Sequence, residues 1–194
     1  LKTPTFTLVA GPNGSGKSTL TGGNLDFFSA YPLLDPDVIA KTIQADPANT
    51  NPLTAGREVL TKVAGFVDRR ESFAVETTLS GKNYIETMRT AGNLGFAIHL
   101  VYIGTVDVEI NLVRIRRRFI GGGHDVPEAD VRRRYERSLK NLIIAAHVAD
   151  FVMLFDNSTD GGYREVAMIE NGTPRWFDPV PAWAGPLKTS FKNI

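Results

Sequence analysis

The sequence predicts an α/β fold, a three-layer sandwich around a central, mostly parallel sheet, and three observations lead there. Short apolar runs alternate with stretches of helical spacing, the order that builds a parallel sheet with helices on both faces. Polar motifs follow directly on the ends of those runs, and in such sheets the ligand lies beyond the carboxyl ends of the strands. Finally, eight of the fourteen arginines fall between Arg114 and Arg137, on two consecutive helical stretches.

Thr5 to Ala10 is the first predicted strand, and it runs into Gly11-Pro12-Asn13-Gly14-Ser15-Gly16-Lys17-Ser18-Thr19. A helix from about Lys17 to Phe28 follows, and Leu33 to Asp37 ends a short extended piece. Val38 to Ala45 reads as helical, with Pro47 and Pro52 as breaks. Val59, Leu60, Val63, Phe66 and Val67 make a helical stripe within Leu53 to Glu71. Ser72 to Glu76 is short and apolar, as a buried parallel strand is. Tyr84 to Leu94 is a helix with Asn83 as its expected cap, and Phe96 to Ile103 is the strongest strand. Helices over Asp107 to Ile120 and Pro127 to Val148 are parted by Gly121-Gly122-Gly123-His124-Asp125. Phe151 to Phe155 is the next strand, and Asn171-Gly172 predicts a hairpin between Tyr163–Glu170 and Pro174–Phe177. The proline-bearing tail from Pro179 is expected to be weakly ordered or to drape over the surface.

A chain of 194 residues, 42% apolar and 22% charged, is an ordinary globular composition and points to one domain. The absence of cysteine excludes disulfides, a thiol nucleophile and cysteine-based metal sites. Three scattered histidines, His99, His124 and His147, do not suggest a histidine metal site; His99 is expected in the core and His124 in an exposed loop. No apolar stretch approaches the length of a membrane span and no leader pattern opens the chain, so the expectation is a soluble, cytoplasmic protein. Net charge is only +1, but the segment from Arg114 to Arg137 carries +4 after Asp125, Glu128, Asp130 and Glu136 are counted. Whatever it faces is expected to be anionic.

Gly11-x4-Gly16-Lys17-Ser18 fits the phosphate-loop pattern GxxxxGK[ST], for which a chance match has a probability of about 1%. Glycines let the loop curl so that backbone N–H groups wrap phosphates at a helix N-terminus. In that reading Gly11 to Thr19 bind the nucleotide, Lys17 reaches the β- and γ-oxygens, and the Ser18 hydroxyl ligates Mg²⁺. Asp35-Pro36-Asp37 offers either a helix cap or, at Asp37, a general base for an acceptor hydroxyl. In Glu76-Thr77-Thr78-Leu79-Ser80-Gly81 a carboxylate could orient metal-bound water or hold a substrate hydroxyl, with Thr77 and Thr78 on a polar acceptor; the alternative is a plain turn.

The arginine helices read as a lid that neutralises a transferring phosphoryl group, as a nucleic-acid face, or as solvated surface. Few aromatics and interspersed acids disfavour nucleic acid. Arg114 and Arg118, one turn apart, share a helix face suited to one phosphate, and the glycine run would be the lid's joint. The organisation expected is a single domain over residues 1–194, with the lid at about 107–148 and the C-terminal hairpin and tail at about 163–194.

Together these pieces resemble the zeta-toxin family of P-loop kinases, including its small single-domain members. The resemblance is carried by Gly11 to Thr19, Pro36 to Ala40, Glu76 to Gly81, Arg114-Ile115, Arg118-Phe119, Gly122 to Pro127, Arg134-Tyr135, Asn141-Leu142 and Asp156-Asn157-Ser158. It implies a kinase that uses ATP and Mg²⁺ to phosphorylate a hydroxyl of a UDP-amino sugar such as UDP-N-acetylglucosamine, and a possible antitoxin partner. It further implies Asp37 as base, Lys17 as the phosphate-loop lysine, and Glu76 and Thr78 as acceptor-binding residues. Arg118 and Arg134 match the arginines on the γ-phosphate, with Arg114 or Arg133 as alternates. Asp35 stands where small members usually carry Asn, and Ser80 where longer toxins carry arginine. The competing expectations are a kinase of another small molecule, an antibiotic or a metabolite, and a nucleotide-dependent switch ATPase. Neither a nucleic acid nor a membrane is an expected partner.

Overall fold

The computed structural model describes residues 3–23, 31–36, 38–39, 52–122 and 126–192. Expectations for Asp37, for His124 and its neighbours Gly123 and Asp125, and for most of the helices predicted after Gly23 and Val38 lie outside the described residues. Strand β1 (Thr5–Ala10) leads through the glycine loop into α1 (Lys17–Gly23), and β2 is the two-residue strand Leu33–Leu34. Helix α2 (Pro52–Asp68) begins on Pro52 itself; proline lacks only an N–H that a first helical turn leaves unused. Then come β3 (Phe73–Thr77), α3 (Asn83–Asn93), β4 (Ala97–Gly104), α4 (Val108–Ile120), α5 (Glu128–Val148) and β5 (Phe151–Asp156). Asn83 is the first helical residue and not the cap; Lys82 holds the cap position without a side-chain cap bond. Asp107, by contrast, caps α4 by accepting from the Glu109 N–H.

The sheet order is β2-β3-β1-β4-β5-β6-β7. The first five are parallel; β6 (Arg164–Glu170) and β7 (Thr173–Trp176) close the edge as the antiparallel hairpin expected around Asn171-Gly172. The chain leaves β1 toward β3 on one side and returns to β4 on the other, so the strand order reverses at β1, where a crevice opens at the carboxyl ends. Register pairs Ala10 with both Thr77 and Tyr102, which brings the glycine loop beside the Glu76–Thr78 segment on one rim.

Alternation along β1 separates the layers. Phe6, Leu8 and Ala10 join the main core with Val59 and Val63 of α2, Ile85 and Met88 of α3, and Leu142 and Ala145 of α5. Val9 faces the other way, onto Leu20 of α1 with Val101 and Ile103. Phe6 and Phe73 stack with centroids 4.5 Å apart, a pairing that contributes about 0.5–1.5 kcal/mol beyond area burial. His99 is only partly buried and lies against the Phe151 ring.

The tail departs from expectation. It forms a 3₁₀ turn (Ala182–Ala184) and α6 (Gly185–Ser190), and Trp183, Ala184 and Leu187 are buried in the main core. Trp183 lies so close over Gly104 that a Cβ there would meet the indole ring at 2.5–2.7 Å. Its N–H donates to Asp156 Oδ1 at 2.9 Å. Apolar burial outweighs the prolines that made this stretch read as loose.

Candidate active site

A cleft of about 780 Å³ opens at the switch point, lined on one side by the glycine loop and on the other by α4 and α5. The strand–loop–helix order forces the loop into place: β1 ends buried at Ala10, and the N-terminus of α1 begins at Lys17. Gly11, Gly14 and Gly16 all have positive φ. At Gly16 a side chain is excluded twice, by a φ of +103° and by the Asn157 amide where a Cβ would stand. Lys17 is nearly buried, and its ammonium donates to the Pro12 carbonyl at 3.1 Å. The Ser15 hydroxyl and the Asn13 amide oxygen are buried without a hydrogen-bond partner among the described residues.

Glu76, at the end of β3, is buried in the same cleft. Ser18 Oγ donates to its Oε1 at 2.7 Å, and Thr21 Oγ1 reaches Oε2 at 3.4 Å. Two hard oxygen donors, hydroxyl and carboxylate, thus meet at the head of α1, a set that suits Mg²⁺. Among the described residues no group of three or more His, Asp or Glu gathers elsewhere to form a cage. Mg²⁺ takes few protein ligands and fills its octahedron with phosphate oxygens and water.

Thr77 and Thr78 line the cleft beside Glu76, with Asp35, Pro36 and Tyr84. Burial pushes the Tyr84 phenol up to about 12. The following Leu79 is fully buried with φ +54°, a strained backbone for a branched side chain. It is held by Asn141 of α5, whose amide donates to the Leu79 carbonyl at 2.9 Å, and by Thr77 Oγ1, which accepts the Leu79 N–H at 3.1 Å.

Six of the eight arginines sort by partner. Arg116 and Arg132 pair with Glu128, Arg132 also with Glu109, and Arg133 with Asp130 at 2.8 Å. Arg114, Arg118 and Arg134 line the cleft instead. Among the described residues Arg134 keeps a 4.0 Å contact with Asp130, and Arg114 donates to the Asn157 carbonyl at 2.7 Å. The alternate Arg133 is therefore held by a carboxylate and does not line the cleft. Helix α4 is fastened at its base: Asn111 donates to the Asn13 carbonyl at 2.7 Å, and Tyr135 of α5 to the Thr105 carbonyl at 2.6 Å.

Sequence reading missed Asn111, Asn141, Asn157 and Tyr163 as parts of this site. A signal existed for two of them. Asn111 interrupts the buried stripe of α4 between Val108 and Leu112, and Asn141 interrupts that of α5 beside Leu142. A polar residue at a core-facing position must find a buried partner. Neither Asn157 nor Tyr163 interrupts such a stripe, because both follow β5 in irregular chain, although Asn157 does lie in Asp156-Asn157-Ser158, a stretch that carries the family resemblance.

No known family model matches the chain. An uncharacterized protein of Haemophilus influenzae is 41% identical over 125 residues, which are 64% of this chain and 88% of that protein. Among solved structures, the AvrRxo1-ORF1:-ORF2 complex with ATP superposes with a TM-score of 0.73 at 16% identity, over 97% of this chain. The present chain spans 64% of that chain's length. A structure of the PezAT chromosomal toxin–antitoxin system of Streptococcus pneumoniae gives a TM-score of 0.63 at 15% identity, over 100% of this chain and 88% of that one. The chain belongs to one family with the Haemophilus influenzae protein, and its sheet order, phosphate loop and arginine-bearing helix pair give it the fold of the zeta-toxin-like P-loop kinases.

Proposed function

We propose that this protein transfers the γ-phosphoryl group of ATP to a hydroxyl of a small acceptor. One observation carries the reading: the phosphate loop with its Ser18–Glu76 pair faces Arg114, Arg118 and Arg134 across a single cleft. An anion-binding loop opposite three cleft-lining guanidinium groups suits a group whose charge spreads over its outer oxygens during transfer. The buried Ser15 hydroxyl adds a donor within the loop. That one solved relative in fold was crystallised with ATP supports the choice of nucleotide.

Backbone N–H groups of the loop and the Lys17 ammonium bind the β- and γ-phosphates. Ser18 and Glu76 would hold Mg²⁺, which when bound neutralises phosphate charge. Arg118 and Arg134 grip the γ-phosphoryl group, with Arg114 beside them. Thr77 and Thr78 orient the acceptor, and Asp37, which follows the cleft-lining Asp35 and Pro36 in sequence, takes the acceptor's hydroxyl proton, the role the family resemblance implies for it. The acceptor oxygen then bonds to the γ-phosphorus as the bond to the β-bridging oxygen breaks and ADP leaves.

The acceptor class rests on the resemblance, which favours a UDP-amino sugar such as UDP-N-acetylglucosamine over an antibiotic or another metabolite. An antitoxin protein is the proposed partner, in keeping with a toxin–antitoxin system among the solved relatives in fold. The test is a ³¹P NMR screen with ATP, Mg²⁺ and a panel of UDP-sugars, with ATP hydrolysis in the absence of acceptor as control. A new phosphomonoester resonance with one UDP-sugar supports the reading. Acceptor-independent hydrolysis alone would favour the switch ATPase.

A further inference from the structure

A phosphate loop works only if its carbonyls point away from the anion. Each peptide unit is planar and trans, so holding the carbonyl of one residue aims the N–H of the next in the opposite direction. Three such carbonyls are held here by side chains from other parts of the chain. Asn111 donates to the Asn13 carbonyl at 2.7 Å, Asn157 to the Ser15 carbonyl at 2.8 Å, and the Tyr163 hydroxyl to the Gly16 carbonyl at 2.7 Å. The N–H groups thereby oriented belong to Gly14, Gly16 and Lys17, and all three residues line the cleft.

Asn157 is the best anchored of the three. Its own N–H donates to the Gly104 carbonyl at 2.9 Å, at the end of β4. Its carbonyl accepts from Arg114 at 2.7 Å, and its side-chain amide crosses to the loop beneath Gly16. It is nearly buried, so water is a poor substitute for these bonds.

We propose that Asn157 is a positioning residue for the phosphate cradle: it fixes the Ser15 peptide so that the loop is preformed before nucleotide binds, and Arg114 acts on the loop through it. Asn111 and Tyr163 brace the neighbouring peptides in the same way. A guanidinium has five N–H donors, so the bond to Asn157 leaves Arg114 able to face the cleft as well. This rests on the nucleotide-binding reading of the cleft. Its physical content is that preorganisation spares the bound state the ordering of the loop.

The test compares Asn157→Asp with wild type, since the substitution keeps size and replaces the donor with an oxygen facing the Ser15 carbonyl. Two quantities are read: Mg·ATP affinity by calorimetry without acceptor, and ¹⁵N order parameters of the Gly14, Gly16 and Lys17 amides in nucleotide-free protein. Wild type should show the order of rigid backbone, about 0.85, and the variant values below about 0.6. Affinity should fall about tenfold or more, the scale of one buried hydrogen bond lost and a like partial charge opposed. Leu187→Ala, a core change that does not line the cleft, supplies a destabilised comparator with a normal loop. If Asn157→Asp fails to fold, Asn157→Ala is read by the same two measurements. Wild-type order and affinity in a folded variant overturn the proposal, as does an affinity loss no larger than that of Leu187→Ala. If wild type itself binds no ATP, the kinase reading falls, while the order parameters still decide the brace.

Discussion

At the head of α1 the Ser18 hydroxyl is within 2.7 Å of the Glu76 carboxylate, and on the proposed reading Glu76 and Asp37 take different roles. Glu76→Gln should weaken Mg·ATP binding, measured by calorimetry at several Mg²⁺ concentrations, and leave the acceptor KM nearly unchanged. A selective rise in acceptor KM would return Glu76 to the acceptor. Asp37→Asn should behave differently, lowering single-turnover transfer about 10²–10⁴-fold, the usual contribution of a general base. Its melting temperature should stay near that of wild type. Full-speed transfer with a lowered melting temperature would make Asp37 a helix cap, and the base would have to lie elsewhere on the rim. Residue type and spacing singled out Lys17 and Ser18 and marked Glu76 and Asp37 as candidates, each beside a plain structural alternative. That Ser18 and Glu76 touch depends on the pairing of β1 with β3, across which no short-range pattern reaches.

The two arginine helices show why an element must be read by its faces. Arg118 and Arg133 are alike in sequence, each inside a run of arginines, yet Arg118 lines the cleft while Arg133 pairs with Asp130. Arg118→Ala should slow transfer by a factor on the order of 10³ or more, with acceptor-free ATP affinity little changed. Arg133→Ala should transfer at the wild-type rate, because an exposed ion pair contributes about 0.2–1 kcal/mol to stability and nothing to the cleft. Equal defects in the two variants would undo this assignment. The tail is the second case. Trp183→Ala removes a ring packed against Gly104 and Tyr102 and leaves Asp156 Oδ1 without that donor. Urea unfolding should show a loss of about 3–5 kcal/mol, whereas a tail merely draped on the surface would lose almost nothing.

For the molecule as a whole, His99 couples stability to pH. Partial burial lowers its pKa below the usual 6.5, an effect only partly opposed by Asp150. The folded state therefore disfavours the protonated ring, and between the two pKa values the unfolded chain binds more protons. Stability should be level above about pH 7 and decline as pH falls through about 6.5, flattening once His99 is protonated in the fold. His99→Gln should remove that slope, as read from melting temperatures between about pH 7.5 and 5.5. An identical slope in the variant would place the titrating group elsewhere.

What the sequence by itself determined is the local chemistry. The strand–loop–helix of the phosphate loop, the alternation that dictates a parallel sheet, and the hairpin at Asn171-Gly172 are written in neighbouring residues, because turn geometry and periodicity are short-range effects. Only the tertiary structure decided which groups meet. Parallel pairing sets Glu76 against Ser18, and the crossover to β4 and β5 carries Asn157 and Tyr163 behind the loop. Helix α5 reaches the strained Leu79 turn with Asn141. Those contacts join residues more than fifty positions apart, and their partners follow from sheet order and helix packing, which no local sequence pattern records.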